Sequence, residues 1–144
     1  MVLKLRLVVD SNILFAALIR KGLTSRLILS ERVELYAPER LFDEFEKYRE
    51  YILSKTHRSE EDFERFLSIL EGRIEIIPRC EFESWLKEAK RVCKLDDFPF
   101  VALAKALECA IWSNDRELKK FSEKTKYVEV LSTKEVLERL RVAL

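Results

Sequence analysis

Apolar residues recur along this chain in two rhythms. Short apolar runs at Leu3 to Val9, Glu34 to Ala37, Ile74 to Ile77 and Cys109 to Trp112, with a weaker one at Tyr127 to Val130, have the length and composition of buried strands. Between them the spacing turns helical. Ile13 to Ile19 reads as a helix with Asp10-Ser11-Asn12 as cap residues and Gly22 as its stop, and Thr24 as the cap of a second short helix through Leu29. Pro38 introduces a helix from about Glu39 to Ser54, whose stripe is Leu41, Phe42, Phe45, Tyr48, Ile52 and Leu53. Ser59 and Asp62 form a capping signature for a helix through Phe63, Phe66, Leu67 and Leu70 to Gly72. Phe82 to Cys93 gives another amphipathic helix, Arg116 to Phe121 a short one, and Ser132 with Glu135 a capping box for the last, with Val136, Leu137 and Leu140 on its apolar face.

The helix at 98 to 107 differs from the rest. It is nearly all apolar, so it has no wet face and must be covered on both sides. Short strands separated by helices, with this one at the centre, predict a three-layer α/β/α sandwich around a parallel sheet of about five short strands. No repeat, low-complexity tract or composition break divides the chain, so residues 1 to 144 read as one domain.

Composition narrows the function classes. Hydrophobic residues make up 48% of the chain and glycines number only two, which disfavours both disorder and a Gly-rich phosphate loop. The 27 basic and 26 acidic residues nearly cancel, so any nucleic-acid contact must come from local patches. Glutamine is absent and the two asparagines are Asn12 and Asn114, a bias that resembles proteins of heat-loving organisms. Both stand within two residues of an aspartate of interest. Cys80, Cys93 and Cys109 are odd in number and lack metal-site spacing, which predicts buried free thiols in a reducing compartment. The single histidine, His57, reads as a surface residue, since one histidine cannot supply an acid and base pair. No run reaches membrane-spanning length and no leader precedes the first strand, so a cytoplasmic location is expected.

Candidate chemistry lies in the acids at element ends. Asp10 follows the first strand, Asp115 follows the fourth, and Asp97 starts the apolar helix that feeds the fourth. In the helix from 39, periodicity leaves Glu44 and Glu46 as the inward-leaning acids. If strands one and four are neighbours, the aspartates gather at the carboxyl edge of the sheet, where ligands bind in such folds. Gathered carboxylates repel one another unless a cation neutralises them, and oxygen donors alone favour Mg²⁺ or Mn²⁺. The bland alternative is that each aspartate is a helix cap and that the glutamate is solvated or ion-paired.

Four segments, Val8-Val9-Asp10-Ser11-Asn12-Ile13-Leu14, Pro38 to Glu44, Asp97 seven residues before Ala104, and Trp112-Ser113-Asn114-Asp115, together resemble the PIN domain, including the VapC-like toxins of toxin and antitoxin pairs. The resemblance spans almost the whole chain. It implies catalytic and metal-binding roles for Asp10, Glu44, Asp97 and Asp115, with Asn12 and Ser113 as polar supports and Asp96 as the alternative to Asp97. Serine at 113 stands where the family often has threonine. The implied activity is a Mg²⁺- or Mn²⁺-dependent endoribonuclease in which water attacks the phosphorus and leaves a 5′ phosphate. An antitoxin protein and a homodimer are the implied partners besides RNA.

Phosphate contacts are expected from Arg20, Lys21 and Arg26 after the first helix and from Arg116, Lys119 and Lys120 after Asp115, with binding that weakens as salt rises. Tyr48, Tyr51, Phe63 and Phe66 are weighed as a dimer face or antitoxin groove against simple core positions. Two rival functions remain: a PIN-like module that binds RNA or a partner without catalysis, and an enzyme phosphorylated on Asp10. Phosphatases of the HAD type want a second aspartate two residues on, where this chain has Asn12.

Overall fold

The computed structural model describes residues 4–142. Five strands, β1 (Leu5–Val9), β2 (Val33–Pro38), β3 (Ile74–Ile77), β4 (Ala110–Trp112) and β5 (Val130–Leu131), form one sheet in the order β3-β2-β1-β4-β5. Every pairing is parallel. Among the described residues eight α-helices connect or follow them, α1 (Ser11–Ile19), α2 (Leu23–Ile28), α3 (Arg40–Lys55), α4 (Glu60–Arg73), α5 (Glu83–Val92), α6 (Phe98–Leu107), α7 (Arg116–Thr125) and α8 (Thr133–Val142), with a 3-10 turn at Arg79–Glu81 before α5. The expected start of the first strand at Leu3 lies outside the described residues.

The chain steps from β1 to β2 to β3 on one side, then crosses β1 to resume at β4 and β5. Right-handed crossovers therefore place α1 to α4 on one face of the sheet, where α1 packs on α2, α3 and α4, and put α5 and α6 on the other. α6 lies over β1 and β2, and Phe100, Val101, Ala102, Leu103 and Ala104 are all buried. This is the coverage its apolar sequence demands. At the sheet's centre Leu7, Val8 and Val9 are fully buried, and the registers Val8 to Tyr36 and Val9 to Trp112 leave the carboxyl ends of β1, β2 and β4 side by side. The crevice between β1 and β4 is the switch point of the topology, where ligands bind in open α/β sheets.

Several boundaries differ from the sequence reading. Gly22 does not stop α1. It is the N-cap of α2, with its N–H donating to Ser25 Oγ at 2.9 Å, so Thr24 lies inside that helix. Gly72 falls in the last turn of α4, which passes directly into β3. Left-handed helix ends are made instead by Glu108 (φ 53°) and Lys126 (φ 58°), whose N–H groups satisfy carbonyls of the last turn. Pro38 ends β2 in register with Ile77, and the weak fifth strand is Val130–Leu131, which begins three residues later than its apolar run suggests and ends one later. The capping box of α8 is present, with Ser132 N–H donating to Glu135 Oε1 at 3.0 Å and Glu135 N–H to Ser132 Oγ at 3.2 Å. Of the free cysteines, Cys93 is buried, Cys109 partly so, and Cys80 is exposed, contrary to expectation. His57 is exposed. No described helix is long and apolar enough to cross a membrane.

Candidate metal centre

β1 delivers Asp10 to the crevice. Its backbone N–H donates to the Trp112 carbonyl at 3.0 Å, extending the join of β1 and β4 by one residue, and its extended backbone turns the chain into α1. The residue is 2% exposed. Its Oδ1 accepts the Ser11 N–H at 2.8 Å and its Oδ2 accepts the Ser113 hydroxyl at 2.7 Å. Burial pushes this carboxyl above the usual range, the Ser113 and Ser11 bonds pull it down, and Asp115 and Glu44 push it up again.

β4 delivers Asp115 across a three-residue turn of which each member is tied down. Ser113 Oγ, besides donating to Asp10, accepts the Asp115 N–H at 3.1 Å and the Asn12 amide at 3.3 Å. Asn114 reaches the start of α8: its Nδ2 donates to Thr133 Oγ1 at 3.0 Å and its Oδ1 accepts the Thr133 N–H at 2.9 Å. The same Thr133 hydroxyl accepts the indole N–H of buried Trp112 at 3.1 Å. Asp115 Oδ1 then caps α7 by accepting the Glu117 N–H at 2.9 Å. Both asparagines of this chain thus brace the turn. The Asn12 Oδ1 atom is buried without a hydrogen-bond partner.

Asp97 is supplied by the start of α6 and separates the two readings left open by the sequence. It occupies the N-cap position, yet its side chain makes no cap bond. One oxygen from each of Asp10, Asp97 and Asp115 lies within 4.8 Å of the others. Burial first, then the charges of Asp10, Asp115 and Glu44, raise the Asp97 carboxyl from 3.8 to about 6, against a small opposing pull from Arg40. Asp96 is exposed and outside this group.

Glu44 stands beside the three aspartates without joining their oxygen cluster. Its Oε2 accepts the Ser11 hydroxyl at 2.7 Å and its Oε1 accepts Arg40 Nε at 2.7 Å. Ser11 Oγ also lies 3.5 Å from Asp10 Oδ1, so one hydroxyl links the two acids. Glu46 is exposed, which resolves the ambiguity of α3 in favour of Glu44. Sequence reasoning missed the parts played by Arg40 and Ser11. The four-residue spacing of Arg40 and Glu44 was the available signal for the first; Ser11 read only as a helix start.

The basic residues divide. Arg20 and Lys21 stand past the far end of α1, about 14 Å of helical rise from Asp10, and Lys21 pairs with Asp62 at 3.5 Å. They do not flank the acids. Lys119, expected at phosphate, is committed to the fold: its Nζ donates to the Val130 carbonyl and to Glu135 Oε1, both at 2.7 Å. Lys120 lies 3.7 Å from Glu117. Arg116 is exposed beside Asp115 and forms no ion pair among the described residues. Phe63 and Phe66 are core, whereas Tyr48 and Tyr51 are 43% and 59% exposed.

The donor set fits a hard divalent cation. Three carboxylate oxygens converge in a group that holds neither histidine nor cysteine, and among the described residues the Asp97 carboxylate forms no hydrogen bond to compensate its burial beside two like charges. A bound cation would offset the repulsion that Arg40 and the serine hydrogen bonds to Asp10 relieve only in part.

A family model described as PIN domain matches residues 8–141. No curated protein matches the sequence. Among solved structures, the fold is similar to VapBC2 from Rickettsia felis bound to a DNA fragment from their promoter, with a TM-score of 0.64 and 15% identity over 89% of this chain and 98% of that one. It is also similar to PAE2754 from Pyrobaculum aerophilum, with a TM-score of 0.65 and 18% identity over 96% of this chain and 90% of that one. A match over nearly the full length, on a sheet order that brings three aspartates together at its switch point, establishes that this chain belongs to the PIN domain family.

Proposed function

We propose that the protein is a Mg²⁺- or Mn²⁺-dependent endoribonuclease, the toxin of a toxin and antitoxin pair acting in the cytoplasm. The observation that carries this reading is Asp97: a carboxylate at a cap position that makes no cap bond and lies beside two other aspartates. A purely structural cap would accept a backbone N–H, as Asp10 and Asp115 do. The family supports nuclease chemistry, and the likeness to VapBC2 supports a partner of the antitoxin type.

Asp10, Asp97 and Asp115 would hold the cation. When bound, it supplies an activated water and offsets charge on the scissile phosphate. Ser113 fixes the Asp10 carboxylate and the turn carrying Asp115 through one oxygen atom, so the two acids keep their separation. Both Glu44 oxygens are already engaged, by Ser11 and Arg40, so Glu44 acts by positioning Ser11 and adding negative field rather than as a direct ligand. Arg116, exposed next to Asp115, faces solvent where a phosphate of the strand can reach it. Attack by water requires no 2′ hydroxyl, and the products carry a 5′ phosphate.

The test is cleavage of a mixed-sequence single-stranded RNA with Mn²⁺ or with EDTA. Metal-dependent fragments bearing 5′ phosphates are expected. Fragments that form equally in EDTA, or an RNA left intact at millimolar Mn²⁺, would sink the proposal and favour a binding module. Dimerisation belongs to the same reading, with the sedimentation coefficient of a dimer as its check.

A further inference from the structure

Beside the acids lies a cleft of about 580 Å³ that the metal chemistry does not use. One wall is the junction of β2 and α3, with Glu39, Arg40 and Asp43; the other is α5, with Lys87 and Lys90; and Phe98 stands at the start of α6. The cleft adjoins the metal centre at two points. Arg40 holds Glu44, and Phe98 directly follows Asp97. A strand whose phosphate sits at the aspartates therefore has this cleft within reach of its neighbouring nucleotide. The volume falls in the ordinary range for small-ligand sites, roughly 300–1,000 Å³.

The lining has the makings of a base site. Phe98 offers an aromatic surface, with Lys90 Nζ 5.8 Å from its ring centre, and bases stack on such surfaces without regard to sequence. Polar groups supply the discrimination. Arg79 is taken by Glu83 at 3.9 Å and Arg40 by Glu44, whereas Glu39 and Asp43 are exposed carboxylates that form no ion pair among the described residues. Carboxylates accept hydrogen bonds from exocyclic amino groups and repel carbonyl oxygens. Cytosine presents an N4 amino group where uracil presents a carbonyl, on rings of the same size.

Resting on the nuclease reading above, we propose that this cleft binds the base of the single-stranded nucleotide next to the scissile phosphate, with Glu39 and Asp43 selecting a base that bears an exocyclic amino group over uracil. Phe98 stacks the base, and Lys87 and Lys90 serve its phosphates. The base must be splayed from its neighbours to enter, so the site takes single strands and not duplex.

The test measures equilibrium binding of fluorescent eight-residue oligocytidylate and oligouridylate to the full chain in EDTA, so that no cleavage intervenes. Oligocytidylate should bind about fivefold or more tightly. The double variant Glu39→Gln with Asp43→Asn should bring the ratio to about one. Both positions are exposed and Glu39 makes no cap bond, so this variant keeps the fold. Phe98→Ala should weaken both oligomers about equally, by roughly fivefold or more. Equal binding of the two oligomers by the wild type, a preference that survives in the double variant, or no RNA bound at all would each overturn the inference. Mn²⁺-dependent cleavage is scored separately, and its absence beside a retained preference for cytosine would overturn the nuclease reading alone.

Discussion

Asp97→Asn should stabilise the metal-free protein at alkaline pH. The Asp97 carboxyl stands at about 6 in the fold against 3.8 ordinarily, mainly through burial and then through Asp10, Asp115 and Glu44. A carboxyl raised in the fold favours folding while it is protonated in both states. That contribution is present below 3.8 and is lost as pH rises through about 6, because only the folded state then holds its proton. A difference of about 2 units corresponds to about 3 kcal/mol. The side chain is only partly buried, and solvent screening reduces the figure to about 1–2 kcal/mol. The amide removes the charge, and urea unfolding in EDTA should show the variant about 1–2 kcal/mol more stable at pH 8 and equal to the wild type near pH 4. Manganese at a hundred times its dissociation constant should add about 2.7 kcal/mol to the wild type and less than about 0.5 kcal/mol to the variant. A variant equally or less stable than the wild type at pH 8 without metal would refute the claim that like-charge repulsion in a buried setting strains this site.

Other consequences are open to measurement. Ser113→Ala removes the donor to Oδ2 of a buried carboxylate and the acceptor of two N–H groups, and should cost about 1–3 kcal/mol in urea unfolding; Ser113→Thr, which keeps the hydroxyl, should recover most of it. Arg40→Ala should leave stability within about 1 kcal/mol, since the Glu44 pair is partly exposed, but should raise the Asp97 titration midpoint seen by NMR, because Arg40 holds it down. Lys119→Ala should lower stability by about 1–2 kcal/mol through the loss of its ties to β5 and α8, with the salt dependence of RNA binding unmoved. Arg116→Ala, by contrast, should lower the slope of log affinity against log salt by close to one unit.

The strongly patterned parts of the fold were legible in the sequence. An apolar decapeptide without a wet face could only be an inner helix, and α6 is one. Short apolar runs between amphipathic stretches foretold a parallel sheet, and the adjacency of β1 and β4 followed once strand order placed their ends together. Helix ends were less legible. With two glycines in the chain, the left-handed positions fell to Glu108 and Lys126, which carry no compositional mark. At the site, aspartates at strand and helix ends were visible because sequence position alone sets them on the sheet edge. Their supports were not. The Arg40 and Ser11 contacts to Glu44 and the capture of Lys119 by Glu135 depend on how separate elements pack. For the same reason Arg20 and Lys21 looked close to Asp10 in the chain and stand a helix length away.

Titration calorimetry of Mn²⁺ into the metal-free protein, with Asp10→Asn and Asp97→Asn as paired variants, asks whether the three aspartates hold a cation. Saturable binding by the wild type, abolished or weakened at least a hundredfold in each variant, is the predicted result. Absence of binding at millimolar Mn²⁺, or binding that survives both substitutions, would contradict the account and leave the three aspartates as helix starts that happen to share an edge.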